Sequence, residues 1–308
     1  MPQSWIPEPV GPGGGFATVA REIALGYREV MDRARLTPSA AILAALLPGT
    51  LVSEDARAKG AADPGADVAD IPSEDLRAGK DAEKRYFLIG PMKGVERPAS
   101  GFGLIVVLPG GPGGAEFLPF VKRIYKHAVP EGYLIAQLVS VSWTEGQSII
   151  WPTSKSRADK MRFSTEEFAG QVIDDVAARH KLDPRRVFTL TWSSSGPAAY
   201  ALSLTNRKVT GSLIAMSVFK PEVLPPLAGA RGRAYYLLHS PDDAVCPFRM
   251  AEQASRDLEK AGATVKLATY EGGHGWKADV YGDLRAGIEW LEKSVPAGKA
   301  SAAKKKKG

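Results

Sequence analysis

Residues 183–196 read Asp-Pro-Arg-Arg-Val-Phe-Thr-Leu-Thr-Trp-Ser-Ser-Ser-Gly, and this stretch decides the fold. Val187, Phe188, Leu190 and Trp192 form a short apolar run of strand-formers. Ala198 to Leu204 then has the composition of a helix start. Between the two lies a tight turn made of three serines, Ser193, Ser194 and Ser195. A serine held there sits at the carboxyl edge of a sheet, with helix N–H groups aimed at it.

Outward from this turn, strand and helix signals alternate from about residue 85. Strands are expected at 84–89, 103–108, 133–141, 187–191, 212–217, 234–239 and 264–268. Helices are expected near 115–128, 165–180, 197–206, 248–262 and 278–293, the second of these opening with Ser164 and two glutamates. The fold class this predicts is α/β, a doubly wound and mostly parallel sheet. The connection between 217 and 234 is short, which leaves little or no room for a lid.

The ends read differently. Residues 53–80 are rich in Ala, Asp, Gly and Pro and read as a linker. Met31 opens a charged stretch followed by an apolar block, Ala40 to Val52, and then Ala56-Arg57-Ala58. That order matches a secretory signal segment over 31–58, placing the protein outside the cytoplasm or in a periplasm. The alternative is a pair of helices packed on the domain in a cytoplasmic protein. The division expected is an N-terminal extension over 1–80, one domain over 81–293 and a lysine-rich tail over 294–308. The formal charge is +6, and Lys299 with Lys304–Lys307 supplies five of it. The basic character therefore belongs to the tail, and no aromatic-interleaved basic surface points to nucleic acid. The apolar block is too short for stable membrane insertion.

Three polar residues fall after three of these strands, those at 187–191, 234–239 and 264–268, in the order Ser193, Asp243, His274. A serine hydroxyl needs an imidazole to take its proton, and the imidazole needs a carboxylate to fix its tautomer. In a parallel sheet the carboxyl ends of all strands open on one edge, so distant residues can converge there. The pattern is that of acyl-transfer chemistry.

Four segments then resemble the α/β-hydrolase superfamily, closest to its esterase and depolymerase-like serine hydrolases, over residues 85–293. DPRRVFTLTWSSSG resembles the nucleophile elbow D-P-x-R-V-Y-x-x-G-x-S-x-G-G, and HSPDDAVCP (239–247) resembles the acid turn and selects Asp243 over Asp242. GGHGW (272–276) resembles the histidine loop, and LPGGPGG (108–114) the oxyanion loop, with Pro109 in place of its histidine. The resemblance implies cleavage of a small or polymeric carboxylic ester without a cofactor. Ser193 would be the nucleophile, His274 the base and Asp243 its partner. The N–H groups of Gly111 and Ser194 would form the oxyanion hole.

Thr191 and Ser195 occupy the positions of both elbow glycines, which normally relieve crowding around a strained serine. Shifting the register by one residue makes Ser194 the nucleophile, at the cost of placing Trp192 where the first glycine belongs. Trp143, Trp151 and Trp276 are candidate substrate-pocket residues, with core packing the alternative for each. His239 reads as a structural turn residue, and His127 and His180 as helix-surface residues. Four histidines without ligand spacing, and a single cysteine, Cys246, predict no metal site. Other readings left open are a peptidase or thioesterase with the same triad, and a binding protein that keeps the fold. The sequence sets no oligomeric state.

Overall fold

The computed structural model describes residues 65–277 and 279–295. The signal-segment reading of 31–58 and the tail from 296 onward lie outside these residues. The described chain forms eight strands: β1 (Ser73–Arg77), β2 (Arg85–Ile89), β3 (Phe102–Leu108), β4 (Tyr133–Leu138), β5 (Leu182–Trp192), β6 (Gly211–Ala215), β7 (Ala234–His239) and β8 (Thr264–Thr269). Five helices accompany them: α1 (Leu118–His127), α2 (Thr165–Arg179), α3 (Gly196–Thr205), α4 (Phe248–Lys260) and α5 (Val280–Ser294).

The sheet order is β1-β2-β4-β3-β5-β6-β7-β8. β1 and β2 pair antiparallel, as do β2 and β4, and every other pairing is parallel. β3 shows why a parallel core follows from this sequence, since all seven residues of Phe-Gly-Leu-Ile-Val-Val-Leu are buried. Ile105 and Val107 face one layer, where Val121 and Ile124 of α1 meet Leu284, Ile288 and Leu291 of α5. Leu104 and Val106 face the other, against Phe168, Val172 and Val176 of α2 and Leu202 of α3. Ser164 caps α2 by accepting from the Glu167 amide at 3.2 Å.

Two boundaries are corrected. The linker reading of residues 53–80 fails over its described part, because Val68 and Ile71 are buried core residues and β1 completes the sheet. Asp67 accepts two 2.7 Å bonds from Arg123, and Asp70 pairs with Lys126, which fastens this segment to α1. The domain therefore starts ahead of residue 81. At the other end of β2's partner, β4 stops at Leu138 rather than 141. Between β6 and β7 the chain makes only short turns at Pro221–Val223 and Leu227–Ala230, so no helical cap is inserted there.

Candidate active site

β5 ends at Trp192, and Ser193 follows with φ of 57°, a left-handed conformation that costs a non-glycine residue energy. Several groups hold it there. The Ser193 carbonyl accepts a 2.6 Å bond from Ser217 Oγ. The Ser195 hydroxyl faces Leu108 O at 2.7 Å and Trp192 O at 2.9 Å, and accepts from the Trp192 amide at 3.1 Å. Ser195, in a glycine's position, thus stitches the turn to the end of β3. Gly196 is different, because a Cβ there would lie 2.0 Å from Ser217 Oγ. Thr191 is fully buried, and its hydroxyl has no hydrogen-bond partner among the described residues.

Ser193 Oγ lies 3.0 Å from His274 Nε2, and His274 Nδ1 lies 2.8 Å from Asp243 Oδ2. The three residues come from the ends of β5, β7 and β8, as the order of strands requires. Asp243 Oδ1 accepts from the amides of Val245 and Cys246 at 2.9 and 2.7 Å, and His239 Nε2 stands 3.2 Å from Oδ2. Burial raises the cost of charge on Asp243, but the bonds from His239, His274 and the Cys246 amide together outweigh it. The carboxyl is held well below the usual carboxylate range. An ionised Asp243 requires His274 Nδ1 to carry the proton, which leaves Nε2 free to accept from Ser193.

His239 had read as a structural turn residue, and its ring is buried between Asp243 and the Cys246 carbonyl, 2.7 Å away. Both neighbours are acceptors, so Nε2 carries its proton. Asp242 is exposed, whereas the Asp243 side chain is buried.

The loop from Leu108 to Gly114 crosses directly over this turn. A Cβ on Gly110 would lie 2.4 Å from Trp192 Cδ1. Every carbonyl from Pro109 to Gly113 is engaged. Trp151 Nε1 donates to Pro109 O at 2.9 Å, the Gly113 amide to Gly110 O at 3.0 Å and Ser194 Oγ to Gly111 O at 2.9 Å. Ser140 donates through its hydroxyl to Pro112 O and through its amide to Gly113 O. Gly111, with φ of 56°, has no acceptor for its N–H among the described residues. A loop whose carbonyls are all tied back is suited to present an amide to a developing negative charge.

The tryptophans divide. Trp151 is only 3% exposed, so the pocket reading is corrected for it: the ring is core, and its N–H supports the glycine loop. Trp143 is half-buried and packs edge-on to Phe163. Trp276 is half-buried two residues from His274 and meets Trp192 and Phe120, with Phe117 completing the cluster. Reading the sequence placed Ser195 only as a glycine replacement and missed its bracing role, and it missed Ser217, Ser140 and Ser240. Ser240 Oγ accepts from the amides of Gly273 and Asp242, tying the histidine loop to the acid turn.

Among the described residues, one group of metal-ligand type occurs, Asp243, Cys246 and His274, with ligand atoms within 4.8 Å of one another. Both Asp243 oxygens already accept hydrogen bonds and His274 Nδ1 holds a proton. Burial also pushes the Cys246 thiol far up. The donor set therefore serves the relay rather than offering lone pairs to an ion.

The chain has the α/β-hydrolase fold. It is similar to a solved esterase of the fungus Rhizomucor miehei, at 12% identity over 73% of this chain and 82% of that one, with a TM-score of 0.54. It is also similar to a bacterial heroin esterase, at 15% identity over 75% and 86% of the two chains, with a TM-score of 0.54. An α/β-hydrolase enzyme from a Medee basin deep-sea metagenome library matches at 13% identity over 73% and 98%, with a TM-score of 0.53. No protein-family model and no curated protein sequence matches the chain.

Proposed function

We propose that this protein is a serine hydrolase that cleaves carboxylic esters through an acyl-enzyme. The observation that carries the reading is the unbroken relay from Ser193 Oγ through His274 to Asp243, built on a serine in a left-handed turn. Ser193 Oγ forms a bond to the ester carbonyl carbon while its proton passes to His274 Nε2. The carbonyl oxygen becomes an oxyanion facing the N–H groups of Gly111 and Ser194. Collapse breaks the bond to the alcohol, which leaves with the proton from His274. Water then gives its proton to His274 and attacks the acyl carbon, releasing the acid and restoring Ser193. Asp243 stays ionised throughout and stabilises the imidazolium. The preference for esters over peptides or thioesters leans on the esterases of similar fold, which is an analogy of fold.

Labelling with a fluorophosphonate probe, with the modified residue read by mass spectrometry, tests this. The expected result is modification of Ser193 in the wild type, none in Ser193→Ala, and retained labelling in Ser194→Ala. Labelling at Ser194, or none in folded wild type, would overturn the assignment.

A further inference from the structure

On the edge of the sheet opposite Ser193, the start of β5 and the segments that lead into β6 and β7 enclose a cleft of about 680 Å³. Val187 to Ser193 alone spans roughly 20 Å of extended chain, so this cleft is remote from the triad. Among the described residues its lining includes Arg185, Arg207, Arg231 and Arg233, and no acidic residue. We propose that this cleft is a binding site for an anion carrying two or more phosphoryl groups.

The four arginines stand apart from others in the molecule. Arg77, Arg85, Arg123, Arg162, Arg179 and Arg186 each pair with a carboxylate. None of the four cleft arginines forms an ion pair among the described residues. Arg185, Arg207 and Arg231 are exposed, while Arg233 is half-buried. Arg233 donates from Nε to Gly229 O at 2.7 Å and from Nη1 to Val209 O. Carbonyls fix the guanidinium but do not neutralise it. Burial, and the like charge of Arg207, both disfavour the charged form of Arg233. An anion between the two would relieve that repulsion.

The loop that carries Arg231 and Arg233 is also held in place before any ligand arrives. A Cβ on Gly229 would lie 2.1 Å from Leu204 O, so the loop rests directly on the last turn of α3. The Gly232 amide donates to Gly262 O at 2.9 Å, and the Arg233 amide to Ala230 O at 3.0 Å. A guanidinium held as that of Arg233 is loses less freedom on binding, and any planar guanidinium grips phosphoryl oxygens in pairs. Four such groups around one cleft suit several phosphoryl groups better than one.

The test is isothermal titration of the full chain with inorganic tripolyphosphate, and with orthophosphate at matched ionic strength. A parallel arm measures co-sedimentation with phosphatidylcholine vesicles containing phosphatidylinositol bisphosphate. Two variants accompany the wild type: Arg207→Gln with Arg231→Gln, and Lys304–Lys307 all replaced by Gln. The proposal expects saturable 1:1 binding of tripolyphosphate, at least tenfold tighter than orthophosphate. It also expects at least tenfold weakening in the arginine variant and none in the lysine variant. Binding to vesicles with the same arginine dependence but not to tripolyphosphate assigns the cleft to a lipid headgroup. Absence of both, or binding that is indifferent to the arginines or lost with the lysines, overturns the proposal. Arg207 and Arg231 make no ion pairs among the described residues, so unchanged melting and unchanged labelling at Ser193 will show the variant to be folded.

Discussion

Ser195 occupies a position where a glycine would leave the turn unsupported, and its hydroxyl bridges two strands instead. Replacing it with Gly removes bonds to Leu108 O and Trp192 while restoring the more familiar residue. The expected result is a loss of roughly 1–3 kcal/mol, read from the urea midpoint, with lower kcat. At Gly196 the sign is reversed. A Gly196→Ala change drives a methyl into Ser217, and adding Ser217→Gly should recover part of the lost stability, so thermal denaturation of the pair must be non-additive. Asp243→Asn keeps the shape but supports the wrong imidazole tautomer. Its kcat toward a p-nitrophenyl ester should fall by about 10³–10⁴-fold with KM little changed. Of these residues, Ser193, Asp243 and His274 were legible because each sits at a strand end within a patterned segment. Ser195, Ser217 and Ser240 were not, since a lone hydroxyl carries no periodicity and its partners come from distant segments.

At the scale of elements, legibility follows burial. β2 through β8 include continuous apolar runs or end at marked turns, and their positions follow from the sequence to within a few residues. β1 was read as linker because Ser-Glu-Asp-Leu-Arg has no apolar alternation. Its charges serve the sheet edge, where Asp75 pairs with Arg77 and with Arg85 of β2. A chain started at residue 81 leaves β2 as an unguarded edge. It should melt lower and aggregate more than one started at 65, measured by scattering during a thermal ramp. The glycine loop offers a second test. Trp151→Phe keeps the ring but removes the donor to Pro109 O, so kcat should fall by about tenfold with the fold intact by circular dichroism. An aromatic residue in a long loop can face the core or the solvent, and only the packing against Gly113 decides between them.

For the molecule as a whole, Asp243 couples the site to stability. Its pKa is depressed in the folded state, so the stabilisation it contributes is full above the unfolded value of about 3.9. It is lost as the pH falls through the lower folded value. The stability advantage of wild type over Asp243→Asn, read from urea midpoints across a pH series, should therefore be full above about pH 5 and shrink towards the acid end. The three residues of the relay do not rest on equally secure ground. Ser193 follows a central strand, whereas His274 follows β8, which lies at the sheet's edge with alternating residues open to solvent. Peripheral strands open at lower free energy than the sheet interior. Heating should release the imidazole before the rest of the molecule unfolds, so reversible loss of turnover will precede loss of circular dichroism. Amide hydrogen exchange along 264–269 will be faster than along 187–192, making the His274 imidazole the first thermometer of the fold.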